Sequence, residues 1–130
     1  MGLLKKIFGE LKETNEKIEF NWQFLNSVEQ IATIIESSKT KPQIIFKYST
    51  RCGISSMVLN QFEKDNKELN DDFDFHFLNL IKYRNVSNLI ASQFNIRHES
   101  PQLLVISNGR VVKHSSHGSI NNIDLNGVLY

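Results

Sequence analysis

This sequence predicts one α/β domain, a mixed four-stranded sheet flanked by helices, and three observations carry that prediction. Segments with helical spacing alternate with short apolar runs along the chain. The last two apolar runs are joined by Asn108-Gly109, a two-residue hairpin signal that makes the final strand pair antiparallel. A length of 130 residues, with 40% hydrophobic and 22% charged side chains, suits a single core.

In chain order, residues 1–20 read as an N-terminal extension and 21–130 as the domain. Leu3, Leu4, Ile7, Phe8 and Leu11 fall on one side of a short amphipathic helix, expected to dock on the domain or fray. The opening stretch lacks the apolar length of a signal peptide, and Lys6 stands where a myristoylation signal wants Ser or Thr. Ser27-Val28-Glu29-Gln30 has the form of a capping box, and Val28, Ile31, Ala32, Ile34 and Ile35 continue it as a helix over 27–37. Lys39-Thr40-Lys41-Pro42 ends that helix, and Ile44-Ile45-Phe46 is the first strand. Ile54, Met57, Val58, Gln61 and Phe62 then place a helix directly after Cys52, with Met57 read as one of its core residues.

Phe73, Phe75 and Phe77 alternate with Asp74 and His76, which makes a second strand with a buried phenylalanine face running into Leu80 and Ile81. Asn85 precedes Val86, Leu89, Ile90 and Phe94 at helical spacing. Arg97 to Pro101 breaks the pattern, Leu103 to Ile106 is the third strand, and Arg110 to Lys113 the fourth. Ile120, Ile123 and Val128 line one face of a closing helix.

Fifteen Lys and Arg against fourteen Asp and Glu give a net charge of +1, so bulk electrostatics argue for neither a nucleic-acid nor a membrane partner. No run approaches the length of a membrane span. The single cysteine excludes an intramolecular disulfide and suits a reducing compartment, with cytoplasm as the expected location.

That cysteine sits where its chemistry is favoured. A helix N-terminus offers unpaired N–H groups and the positive end of the helix dipole, and both stabilise a thiolate. Lys47 and Arg51 are candidate sources of further positive charge, provided strand alternation aims them at the sulfur. Ser55, one turn on, is placed to donate a hydrogen bond to the sulfur and cannot act as a resolving thiol. Thr50 and Gly53 frame the sulfur through their backbone. A lone cysteine in a soluble protein is ordinarily a small buried hydrophobe; the junction position, Ser55 and the downstream Ser100-Pro101 favour a reactive one. His114 and His117 have H-x-x-H spacing with Cys52 as a further candidate ligand, but the spacing is common and solvated histidines without metal are the expectation. His98 stands three residues before Pro101, and a purely structural role is one reading of it.

FKYSTRCGISSM at Phe46–Met57, followed by HESPQLLVI at His98–Ile106, resembles the monothiol bacilliredoxins of the bacillithiol redox system, within the thioredoxin-fold superfamily. The match runs from about Ser27 to the end of the chain. The resemblance implies a thioredoxin-like fold, with Cys52 as the redox cysteine, Ser55 as the serine of C-x-x-S, and Ser100-Pro101-Gln102 as the element whose cis proline faces the cysteine and pairs with incoming substrate backbone. For His98 it implies the other reading, a place near the substrate groove where it orients a ligand or assists proton transfer. It further implies a monomer with no bound cofactor, using bacillithiol or a similar low-molecular-weight thiol as co-substrate. Partners would be S-thiolated client proteins and a small thiol or reductase. Gly53 departs from the proline common in related sites. Two other readings stay open. Cys52-Gly53-Ile54-Ser55 is one exchange from the C-G-F-S of monothiol glutaredoxins that share an iron-sulfur cluster, although His117-Gly118-Ser119 stands where those proteins carry Gly-Gly. A redox-inactive interaction module that keeps the groove is the third.

Overall fold

The computed structural model describes residues 20–129, so the extension expected over 1–20 lies, but for Phe20, outside the described residues. The sheet has five strands, one more than expected: β1 (Trp22–Phe24), β2 (Gln43–Tyr48), β3 (Asp74–Asn79), β4 (Gln102–Ser107) and β5 (Arg110–Ser116), in spatial order β1-β3-β2-β4-β5. β1 and β2 both run parallel to β3, while β4 is antiparallel to β2 and β5 antiparallel to β4. The extra strand is three residues long, too short to display alternation. It is defined instead by register, Trp22 opposite Phe75 and Phe24 opposite Phe77.

The helices are α1 (Glu29–Ser37), α2 (Gly53–Asn66), α3 (Arg84–Phe94) and α4 (Asn126–Leu129), with 3-10 turns at Lys67–Leu69 and His117–Asn122. Half of the expected capping box forms at α1. Gln30 Oε1 accepts the backbone N–H groups of Asn26 and Ser27, each at 2.9 Å, while the Ser27 hydroxyl turns to the same oxygen. The closing helix is split rather than continuous, because Ile123 is extended (φ −75°, ψ 137°) between the 3-10 turn and α4. Ile120 and Leu125 are buried on either side of that break.

Side-chain alternation divides the interior into two cores, one on each face of the sheet. Phe46, Phe75 and Phe77 meet Val58, Leu59 and Phe62 of α2 on one face. Ile45, Leu78, Leu104 and Ile106 meet Ile31 and Ile34 of α1 and Val86 and Ile90 of α3 on the other. On α2 the buried stripe is Ser55, Val58, Leu59 and Phe62. Met57, read from spacing as a core residue, is 70% exposed, and Ile54 is 39% exposed. The stripe is rotated from the expected one because Ser55, a polar residue that periodicity skips, occupies its first turn.

The hairpin forms as the sequence predicts. Asn108 (φ 54°) and Gly109 (φ 82°) both take left-handed backbone, the requirement of the turn that suits strand twist. Their N–H groups donate to Ser38 O and Ser38 Oγ, each at 2.9 Å, which pins the hairpin tip to the end of α1. Among the described residues no helix is long and apolar enough to cross a membrane.

Candidate functional site

β2 delivers the chain to a tight turn, Ser49-Thr50-Arg51, and Cys52 is the N-cap of α2 with extended backbone (φ −113°, ψ 112°). Two serines hold this turn. Cys52 N donates to Ser49 O at 3.2 Å, Arg51 N to Ser49 Oγ at 3.2 Å, and Ser49 N to Ser55 Oγ at 3.3 Å. Cys52 is half-buried, its thiol free, while Thr50, Arg51 and Gly53 are exposed around it. Ser55 is fully buried and its oxygen is anchored on Ser49, so the expected hydrogen bond to the sulfur is not among those of the described residues. Buried polar atoms are nearly always hydrogen-bonded, and for Ser55 Oγ the partner is the Ser49 amide.

Gln102 of β4 lies opposite Lys47 of β2, which brings the Ser100-Pro101 segment to the cysteine end of the sheet. The Ser100–Pro101 peptide bond is cis, and Pro101 O accepts from His117 N at 2.9 Å. Flanking the buried proline are two buried polar atoms, Ser100 Oγ and Gln102 Oε1, without a hydrogen-bond partner. Such atoms are rare in folded proteins because leaving them dry costs about 1–3 kcal/mol each. Gln102 Nε2 is occupied, donating to Arg97 O at 2.8 Å. Beside them is an open polar pocket of about 410 Å³ whose lining includes Arg97, Glu99, Gln102, His114, Ser116 and Ser119. Ser116 donates its hydroxyl to Glu99, fixing that wall.

His98 is half-buried and lies just before Ser100, as its sequence position requires, but its ring is engaged inward. Its Nδ1 is 3.3 Å from Lys47 Nζ and 3.1 Å from Ser87 Oγ. Lys47 is fully buried on the face of the sheet opposite α2, among Leu78 and its neighbours, so strand alternation turns its charge away from the cysteine helix. Burial, and after it Arg84, push the Lys47 ammonium down to about 8. Burial, Lys47 and Arg84 push His98 down, against an opposing pull from Glu99. His114 and His117 are exposed, and among the described residues no group of three or more His, Cys, Asp or Glu gathers that could hold a metal.

Ser49, the orphaned oxygen of Gln102 and the Lys47–His98 contact were not among the expected site features. One signal was available: a lysine inside the buried run Ile44-Ile45-Phe46-Lys47-Tyr48 has to find partners or pay for its burial.

The chain resembles known proteins in the same terms. A solved structure with a thioredoxin fold shares 34% sequence identity, with a TM-score of 0.68 over 81% of this chain and 92% of that one. Thioredoxin from Malassezia sympodialis (Mala s 13) superposes with a TM-score of 0.67 at 16% identity, covering 85% of this chain and 90% of its own. Fasciola hepatica thioredoxin gives 0.63 at 15% identity, covering 82% and 95%. The last two are alike in fold alone. Residues 23–125 match the family described as monothiol bacilliredoxin BrxC, a match that takes in β2, Cys52, the Ser100-Pro101-Gln102 segment and most of both cores. With a thioredoxin fold and a redox function supported together, the chain belongs to the monothiol bacilliredoxin BrxC family.

Proposed function

We propose that the protein is a monothiol thiol-disulfide oxidoreductase that strips a low-molecular-weight thiol, bacillithiol or one like it, from protein mixed disulfides. The observation that supports this reading above the others is the placement of the chain's one cysteine, half-exposed at the N-cap of α2, with a buried serine where a resolving thiol would stand. The Cys52 thiolate attacks the small-thiol sulfur of the client disulfide. A Cys52–S–S–R bond forms, the client S–S bond breaks, and the client leaves as a thiolate that takes up a proton. Ser55 cannot attack this intermediate, so a second small thiol or a partner reductase must do so, releasing the carried thiol as a disulfide and restoring Cys52. Ser100-Pro101, with its cis peptide bond at the cysteine end of the sheet, is the element whose backbone pairs with the substrate. Thr50, Arg51 and Gly53 form the exposed rim over which the client approaches. The reading places the protein in a reducing compartment, acting as a monomer on S-thiolated clients, with no bound cofactor.

Intact mass spectrometry tests it. Reduced protein is mixed with a client carrying a bacillithiol mixed disulfide, in parallel with a glutathione version and a Cys52→Ala control. Transfer of the bacillithiol mass to the wild type alone, faster than glutathione, is the expected outcome. Absence of both adducts on the wild type would remove the reading.

A further inference from the structure

Lys47 is fully buried, and among the described residues it forms no ion pair. Its Nζ donates to Ser87 O at 3.3 Å and lies 3.3 Å from His98 Nδ1. An ammonium has donors and no acceptor, so Nδ1 must present its lone pair to it. A neutral imidazole carries one N–H; with Nδ1 accepting, the proton is on Nε2. No hydrogen bond forms at Nε2 among the described residues, and the ring is half-exposed immediately before Ser100-Pro101. Protonating the ring would set a second cation against Lys47, with Arg84 also facing it and Glu99 as the one opposing charge.

We propose that Lys47 is a positioning residue: by donating to Nδ1 it holds His98 as a neutral ring with its proton on Nε2, a fixed hydrogen-bond donor for an oxygen acceptor of a ligand bound beside the Ser100-Pro101 segment. That such a ligand is a thiol on its way to Cys52 rests on the function proposed above; the tautomer does not. His98 then serves recognition rather than proton shuttling. Lys47 touches no substrate and acts through His98.

Two experiments decide this. Long-range proton–nitrogen correlation spectra of the nitrogen-15 labelled protein read the ring directly, without substrate. In the wild type Nδ1 is expected to be of the unprotonated type and Nε2 protonated at neutral pH, with titration below the ordinary imidazole value of 6.5. In Lys47→Met only the Ser87 hydroxyl, 3.1 Å from Nδ1 and able to donate or accept, still faces that nitrogen, so the tautomers mix and the midpoint moves up toward that value. A wild type protonated at Nδ1, or a Lys47→Met spectrum identical to wild type, overturns the proposal. Because Lys47→Met replaces a core side chain, His98 variants at the half-exposed ring give an independent reading. His98→Gln keeps an amide N–H at the Nε2 position and holds KM within about twofold, whereas His98→Asn, which does not, raises KM about tenfold with kcat little changed, the value of one lost hydrogen bond. Equal KM increases in both variants overturn the donor role. Failure of the wild type to transfer any thiol would refute the proposed function, and the ring spectra would still decide the tautomer.

Discussion

The two faces of the sheet are packed with different chemistry. Against α2 the core is aromatic: Phe20, Trp22, Phe46, Phe62, Phe73, Phe75 and Phe77 interlock, with Phe20 edge-on to Phe75 at 4.5 Å and Trp22 edge-on to it at 5.8 Å. Its polar contacts lie at the edges: Trp22 Nε1 donates to Glu63 Oε2 at 2.6 Å, and the buried Ser55 accepts from Ser49 N at 3.3 Å where α2 begins. Against α1 and α3 the core is aliphatic, and it admits buried polar side chains: Gln43, Lys47, His76, Ser87 and Gln102. Most are bonded to neighbours in that layer, His76 Nε2 to Gln43 Oε1 at 2.8 Å, for instance, while Gln102 donates to the Arg97 carbonyl and leaves its own oxygen unpartnered. Aromatic packing is dense and directional, which suits the task of holding α2 and its N-cap still. Buried polar groups cost stability, so a face that keeps them trades packing for chemistry. The polar face is the one that carries Lys47, its partner His98 and Gln102, next to the Ser100-Pro101 segment.

Truncation on the aromatic face is expected to have the largest effect on stability. Phe75 is fully buried at the centre of four ring contacts, with Phe20, Trp22, Phe62 and Phe73. Phe75→Ala should cost about 3–5 kcal/mol, read as a lower urea midpoint at unchanged slope. Domains of this size hold only about 5–15 kcal/mol, so the variant will be near unfolding at room temperature. A loss below about 1 kcal/mol would mean that the aromatic face is not the rigid half of the molecule.

On the polar face the expected effect is smaller and carries a pH signature. Lys47 binds its proton less tightly when folded, down to about 8 from the ordinary 10.5. The unfolded chain therefore holds more protons between those values, and stability rises with pH across that window. Fully expressed, the linkage is worth about 3 kcal/mol. Lys47→Met removes an unpaired buried cation and fits apolar atoms in its place, so it should match or exceed wild type at pH 7 and lose the alkaline gain. His76 mirrors this in acid: pushed down to about 4 by burial against the pull of Asp74, it withdraws stability as pH falls from about 6.5 to 4. Urea titrations of wild type and Lys47→Met from pH 7 to 10 that ran parallel would break the contrast between the faces.

The aromatic face was legible in the sequence because it follows period two: Phe73, Phe75 and Phe77 appear as a stripe and are one. The hairpin was legible because Asn108-Gly109 is chemistry of the turn itself. Cys52 and Pro101 were legible as motif positions, and the fold brings both to one end of the sheet. What periodicity does not carry is what it missed. β1 is too short to show a period, and its place depends on long-range register. Met57 was misplaced because Ser55 begins the buried stripe, and a serine is not counted as core. The Lys47–His98 contact joins residues 51 positions apart, and no local pattern announces such a pair.

The smallest expected effect tests whether the cysteine turn shares the rigidity of the aromatic face that supports it. Gly53 is the first residue of α2, a Cβ built on it meets nothing within 4 Å, and its backbone lies outside the left-handed region. Proline is favoured at a first helical position, where the N–H needs no helical partner, and it requires the preceding residue to be extended. Cys52 already is, at φ −113° and ψ 112°. Gly53→Pro should therefore stabilise by about 0.4–1 kcal/mol, chiefly by restricting the unfolded chain. If the turn is already fixed by Ser49 and Ser55, thiol transfer at Cys52 will stay within about twofold of wild type while the urea midpoint rises, since the backbone that presents the sulfur has not moved. A large change in transfer rate at unchanged stability would show instead that the glycine supplies motion the reaction uses, and that the rigid half of the molecule ends at Tyr48.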